Sequence, residues 1–191
     1  MGDSAPQANA PSLQQSLIGL DRFAQHPAAY DWAVANSRII DMFGTFAKER
    51  HLLLFQSGNE CENWIDPLLN VVYKMNTLVH TGGDILKLLE RIDCYNTLFR
   101  ATPMRFVGFH VMSRTNVYPV FAQPFVPNAG FAKEEEIAEY MLSKGFCQTK
   151  EDGVFENEEF VLSDIKPKNV LSSPDGTIFV IDAEIQKKNQ S

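Results

Sequence analysis

The clearest change from apolar to polar positions lies between residues 160 and 184. Phe160-Val161-Leu162 is apolar, the middle is polar and carries Pro167, and Val170-Leu171 resumes the apolar run. This reads as two short strands joined by a turn. Pro174-Asp175-Gly176 predicts a hairpin turn, because Pro fixes one φ and Gly accepts a positive one. Thr177 to Ile181 is then β-rich and ends on Asp182. Upstream, strand patterns recur at His51–Phe55, Asn63–Ile65, Asn70–Met75, Met104–Met112 and Val117–Gln123, enough for a five-stranded antiparallel sheet. Helical spacing appears from Ser12, with Leu13, Leu17, Leu20 and Phe23, and is expected to end near His26-Pro27. A second helix is expected from Pro27 to about Arg50, burying Tyr30, Val34, Ile39, Met42, Phe43 and Phe46. Gly82-Gly83 breaks the chain, and Asp84 can cap a helix reaching Asn96 with Ile85, Leu88, Leu89 and Ile92 as its stripe. A short helix is predicted over Lys133–Lys144, followed by a hairpin of Phe146–Gln148 with Gly153–Phe155.

The chain has 191 residues, which suits one domain or one domain with an appendage. At 45% hydrophobic and 21% charged it has an ordinary globular composition. A net charge of −7 argues against a nucleic-acid or anionic-membrane surface, since either needs a basic patch. A nucleotide site needs only local positive charge and stays open. The three cysteines are dispersed and the four histidines form no ligand pair, so neither a zinc site nor a disulfide framework is expected. No apolar run approaches membrane length, no signal peptide is apparent, and Pro6 spoils a myristoylation motif. The expected location is cytoplasmic, and residues 1–11 are expected to be disordered.

The predicted hairpin places Asp164, Lys166 and Asn169 in one loop, with Asp182 just past the paired strand. Two carboxylates, an amide oxygen and an ammonium near one point suit a divalent cation carrying phosphate oxygens. An ordinary surface hairpin with solvated charges is the alternative. Asp164-Ile-Lys-Pro-Lys-Asn169-Val-Leu resembles the catalytic loop of the protein kinase-like superfamily, and Val180-Ile181-Asp182 resembles the strand end and metal-binding Asp of its D-F-G motif. The thirteen-residue spacing from Asn169 to Asp182, spanned by a hairpin, is also similar. The short C-terminal part, Gly58 followed by Glu60, and Val-Tyr-Lys74 are most similar to the compact kinase domain of polyvalent proteins of phages and mobile elements.

The resemblance implies an α+β, kinase-like fold: a disordered tail (1–11), an N-terminal helical extension (12–50), an N-lobe with a five-stranded sheet and helix C (51–126), and a reduced C-lobe (127–191). It implies a phosphotransferase that uses ATP and Mg²⁺ and moves the γ-phosphoryl group to a hydroxyl on a protein or small molecule. Asp164 would be the base and Lys166 would neutralise charge on the transferred group, with Asn169 and Asp182 holding Mg²⁺. Lys74 would hold the nucleotide phosphates and be aimed by Glu90, sixteen positions later. Gly58 stands in the phosphate-facing turn, and the backbone near Gln123 and Phe125 would meet the adenine. Departures are plain: one glycine where kinases have three, Glu60 and Glu62 beside it, Leu162-Ser163 before Asp164, and Ala183-Glu184 after Asp182. They favour a second reading, a kinase-like nucleotide-binding or interaction module with little or no turnover.

Overall fold

The computed structural model describes residues 11–57 and 60–188. The chain divides into two compact units, one running up to Asp93 with Pro103–Phe125, the other combining Cys94–Thr102 with the residues from Val126 onward.

The first unit holds the five-stranded antiparallel sheet: β1 (Leu53–Ser57), β2 (Cys61–Asp66), β3 (Val71–Asn76), β4 (Arg105–Ser113) and β5 (Asn116–Pro124). Their order is β1-β2-β3-β5-β4. Three helices precede the sheet: α1 (Pro11–Leu17), α2 (Arg22–Ala35) and α3 (Thr45–Glu49). The longer α4 (Ile85–Leu98) follows β3. The segment read as a helical extension, residues 12–50, shares a compact unit with the sheet. On one face of the sheet Tyr73, Met75 and Val120 pack with Ile40, Met42, Ala47 and Leu52. Ladder partners share a face, so Lys74 and Phe121 lie on the other. There Phe106 meets Phe121 and Phe109 edge-on, and Trp32 of α2 stands 6.0 Å from Phe106.

The N-terminal helices differ from expectation in boundary and in face. The predicted break at His26-Pro27 does not occur, because Asp21 is the stronger boundary: its Oδ1 accepts from the amides of Phe23 and Ala24. Pro27 inside α2 removes one donation, to the carbonyl of Phe23, a residue on the exposed side where water can replace it. The inward face is Gln25, Ala29 and Ala33, whereas Val34, Ile39 and Phe43 are exposed. Small side chains let α2 lie close to β4 and β5, which a row of large residues would prevent. Beyond Ala35 the chain leaves the helix and runs along the outer edge of β4, where Ile40 N–H donates to Phe109 O and Phe109 N–H to Arg38 O. Gly108 permits this: a Cβ there would lie 2.3 Å from the Arg38 carbonyl oxygen.

The second unit has two small sheets. One is β11 (Ile178–Val180), β10 (Val170–Ser172) and β6 (Gly130–Phe131) in that order. The other is β12 (Glu184–Lys187), β9 (Phe160–Ser163), β8 (Phe155–Glu156) and β7 (Cys147–Gln148). Helix α5 (Glu134–Ser143) buries Ile137 and Met141. The β10–β11 hairpin and the β7–β8 hairpin form as expected. The two strands read as one pair do not pair: β9 and β10 enter different sheets, because β9 takes β8 and the unforeseen β12 as its neighbours. The loop between them therefore bridges two sheets of this unit.

Candidate functional site

In the second unit that loop is built by its own polar atoms. Asp164 follows β9 with φ +58, a left-handed conformation uncommon outside glycine. Its carbonyl accepts from Lys166 N–H at 3.0 Å, and Pro167 opens a single 3₁₀ turn, Pro167–Asn169. The Asn169 amide then reaches back, its Nδ2 donating to Asp164 O at 2.8 Å and to Asp164 Oδ2 at 2.7 Å. Lys168 Nζ pairs with the same Oδ2 at 3.0 Å. Ile165, buried, anchors the loop from below, and its amide donates to Gly153 O.

Asp182 is brought alongside by the hairpin. Val170 faces Val180 in the β10–β11 ladder, and one step further Ile181 N–H donates to Asn169 O at 2.8 Å. The carbonyl of Val180 accepts from two buried hydroxyls, Tyr95 at 2.6 Å and Thr102 at 2.5 Å. The end of α4 and the turn after it thereby fix the strand that delivers Asp182. One Asp182 oxygen, Oδ1, accepts from Ala183 N–H at 3.0 Å. Asp164, Lys166, Asn169 and Asp182, picked from spacing, thus share one small region of the fold.

These bonds leave a defined set of oxygens. Asp164 is held through Oδ2, Asn169 through its nitrogen and Asp182 through Oδ1. Among the described residues nothing engages Asp164 Oδ1, Asn169 Oδ1 or Asp182 Oδ2. Oxygen-only donors of this kind suit a hard cation or a hydroxyl proton. Lys166 is committed elsewhere: its Nζ meets Asp152 Oδ2 at 2.8 Å. That hydrogen bond, followed by the charges of Asp152, Asp164 and Glu151, raises the lysine above its ordinary pKa. Gly153 makes the approach possible, at φ +71 and with a would-be Cβ only 2.7 Å from the Lys166 stem.

The remaining predicted residues lie in the first unit. Lys74 is buried in β3, opposite Asn63 and Phe121. Gln123, also buried, shares its sheet face two positions along, opposite Val72. Phe125 is partly exposed, and its N–H is already bonded to Asn70 O at 2.9 Å. That amide is therefore not on offer to a base edge, which corrects part of the expectation. Gly58 lies outside the described residues. Glu90 is exposed, so it does not face the buried Lys74. The helical period explains it, since Ile85, Leu88, Leu89 and Ile92 form the buried stripe of α4 and Glu90 falls on the far side. Its neighbour Arg91 turns to the sheet instead and pairs with Glu60 at 2.6 Å. This answers the part of the negative charge in this region that Glu60 carries, because Glu60 is paired with Arg91.

Sequence reasoning missed Asp152, Tyr95, Thr102 and Arg91. Asp152-Gly153 carried a turn signal, but nothing local connected it to Lys166. A mixed α/β chain with a five-stranded antiparallel sheet is compatible with a kinase-like fold. A model of the serine/threonine/tyrosine kinases found in polyvalent proteins matches residues 32–189, and the chain belongs to that family. Comparison with curated proteins and with solved structures gave no match. Among the described residues no helix is long and apolar enough to cross a membrane.

Proposed function

We propose that the protein is a phosphotransferase that moves the γ-phosphoryl group of ATP, with Mg²⁺, to a hydroxyl acceptor on a protein or small molecule. Family membership supports phosphoryl transfer. The observation that carries the residue assignment is the set of unengaged oxygens on Asp164, Asn169 and Asp182, each left open because a sister atom is bound. Asp164 Oδ1 accepts the proton of the attacking hydroxyl, while Asn169 and Lys168 hold Oδ2 and keep the carboxylate oriented. The acceptor oxygen forms its bond to the γ-phosphorus as the bond to the bridging oxygen breaks, and ADP leaves. Asn169 Oδ1 and Asp182 Oδ2 would hold Mg²⁺, which when bound offsets charge on the phosphate oxygens. Lys166 neutralises the transferred group, and Lys74 holds the nucleotide phosphates.

A second reading, a nucleotide-binding module with little turnover, is favoured by one observation: Lys166 is paired with Asp152 and raised in pKa by it, not turned to Asp164. Label transfer from γ-labelled ATP separates the two. Asp164→Asn and Asp182→Asn are each expected to remove about 3–4 kcal/mol of transition-state stabilisation, a loss of several hundredfold. Thermal stabilisation by ATP with Mg²⁺ but no transfer in the unaltered protein establishes the second reading. No stabilisation at millimolar nucleotide removes both.

A further inference from the structure

The first-turn amides of a helix have no partner inside it and must be satisfied from outside. In α4 this is done from two places. Asp84 Oδ1 accepts from Lys87 N–H at 2.9 Å in the usual capping manner. The amides of Ile85 and Leu86 go instead to Gln25 Oε1, at 2.8 and 3.1 Å. Gln25 is 2% exposed, sits on α2 sixty residues upstream, and uses its Nε2 on Leu20 O.

Two further contacts run the same way. His26 Nδ1 accepts from Val117 N–H, which leaves the ring proton on Nε2, 3.2 Å from Gly83 O. Gln14 of α1 donates to Asp93 Oδ2 at 2.7 Å, two turns further along α4. Leu13 and Leu17 have no exposed surface, so α1 is seated and not loosely appended. Leu13, Gln14, Leu17, Gln25 and His26 all precede position 32, where the family match begins, while their partners on α4 and β5 lie within it.

We propose that Gln25 is a positioning residue. By completing the N-terminal cap of α4 from another helix, it fixes the rotation and height of that helix and so holds Arg91 against Glu60. Glu60 immediately precedes β2, and its carbonyl accepts from both Thr77 N–H and Thr77 Oγ1. The path therefore runs from α2 through α4 to the residue that leads into β2. Segment 11–31 is an internal brace that sets the pose of α4 and, through Arg91, of Glu60 just ahead of β2. The nucleotide consequence rests on the function proposed above; the mechanical one does not.

Amide hydrogen exchange on the full chain tests the brace directly. Gln25→Met keeps the volume and removes the acceptor. It should speed exchange at Ile85, Leu86 and Thr77 on the order of tenfold, with Val120 and Met75 unchanged. Gln25→Glu, which keeps an oxygen at the helix N-terminus, should restore protection at Ile85 and Leu86. Arg91→Gln should speed Thr77 and leave Ile85 and Leu86 as they were. Unchanged Thr77 in either Gln25→Met or Arg91→Gln overturns the proposal, as does a uniform rise that includes Val120. Given that the unaltered protein binds MgATP, Gln25→Met should raise the nucleotide Kd several-fold and change kcat less. If the unaltered protein binds no ATP, the functional reading falls and the exchange rates still decide the brace.

Discussion

Lys166 carries its charge toward a residue that spacing alone would not have chosen. Its ammonium is held by Asp152 through a 2.8 Å contact, and Gly153 makes room for its stem. Because the partner raises the folded pKa above the ordinary lysine value, any stabilisation from the pair is complete below that value. It fades as pH climbs through the higher folded one. Asp152→Asn should bring the Lys166 pKa back toward the ordinary range in an NMR titration of the lysine side chains. A Lys166 titration curve unmoved by the substitution would show that the pair does not persist in solution. If it does persist, Lys166 has to leave Asp152 to reach a transferring phosphoryl group, and Asp152→Asn should then increase turnover.

At the scale of elements, the decisive feature is how α4 and the turn after it meet β11. The hydroxyls of Tyr95 and Thr102 both donate to the Val180 carbonyl, two residues ahead of Asp182. Either Tyr95→Phe or Thr102→Val leaves one of these donors and should cost about 1 kcal/mol. The double variant removes both, and should cost about 1–3 kcal/mol beyond the sum of the singles, as expected when a buried carbonyl loses its last hydroxyl partner. A double-mutant cycle in urea unfolding checks this; strict additivity would mean that the two hydroxyls act independently. The same element explains the behaviour of Glu90. A helix seated by Ile85, Leu88, Leu89 and Ile92 can turn Arg91 to the sheet only by turning Glu90 away.

For the molecule taken whole, the important finding is that the residues before the sheet belong to its compact unit. Met42 and Ile40 complete the core on one sheet face, while Trp32 and the small residues of α2 cover the other. The main-chain pairing of residues 38–40 along β4 closes an otherwise open sheet edge. Gly108→Ala would press a Cβ to 2.3 Å from Arg38 O, so the segment must move or the edge must open. The expected loss is about 2–3 kcal/mol, read as a lower urea midpoint with an unchanged m-value. A variant as stable as the parent would show that this segment yields freely.

What the sequence determined by itself is what neighbours within a few residues decide. The five strands, the Pro174-Asp175-Gly176 turn, the α4 stripe and the loop from Asp164 to Asn169 depend on alternation, fixed φ values and short-range polar bonds, and all were legible. The outward side of Glu90 is likewise written in the helical period. Tertiary structure decided the rest. It allotted β9 and β10 to different sheets, supplied β12, tied Lys166 to Asp152, and gave Gln25 the amides of a helix sixty residues away. The reason is physical: a hydrogen bond or a ladder between distant residues leaves no periodic trace in either partner, and only burial of both together selects it.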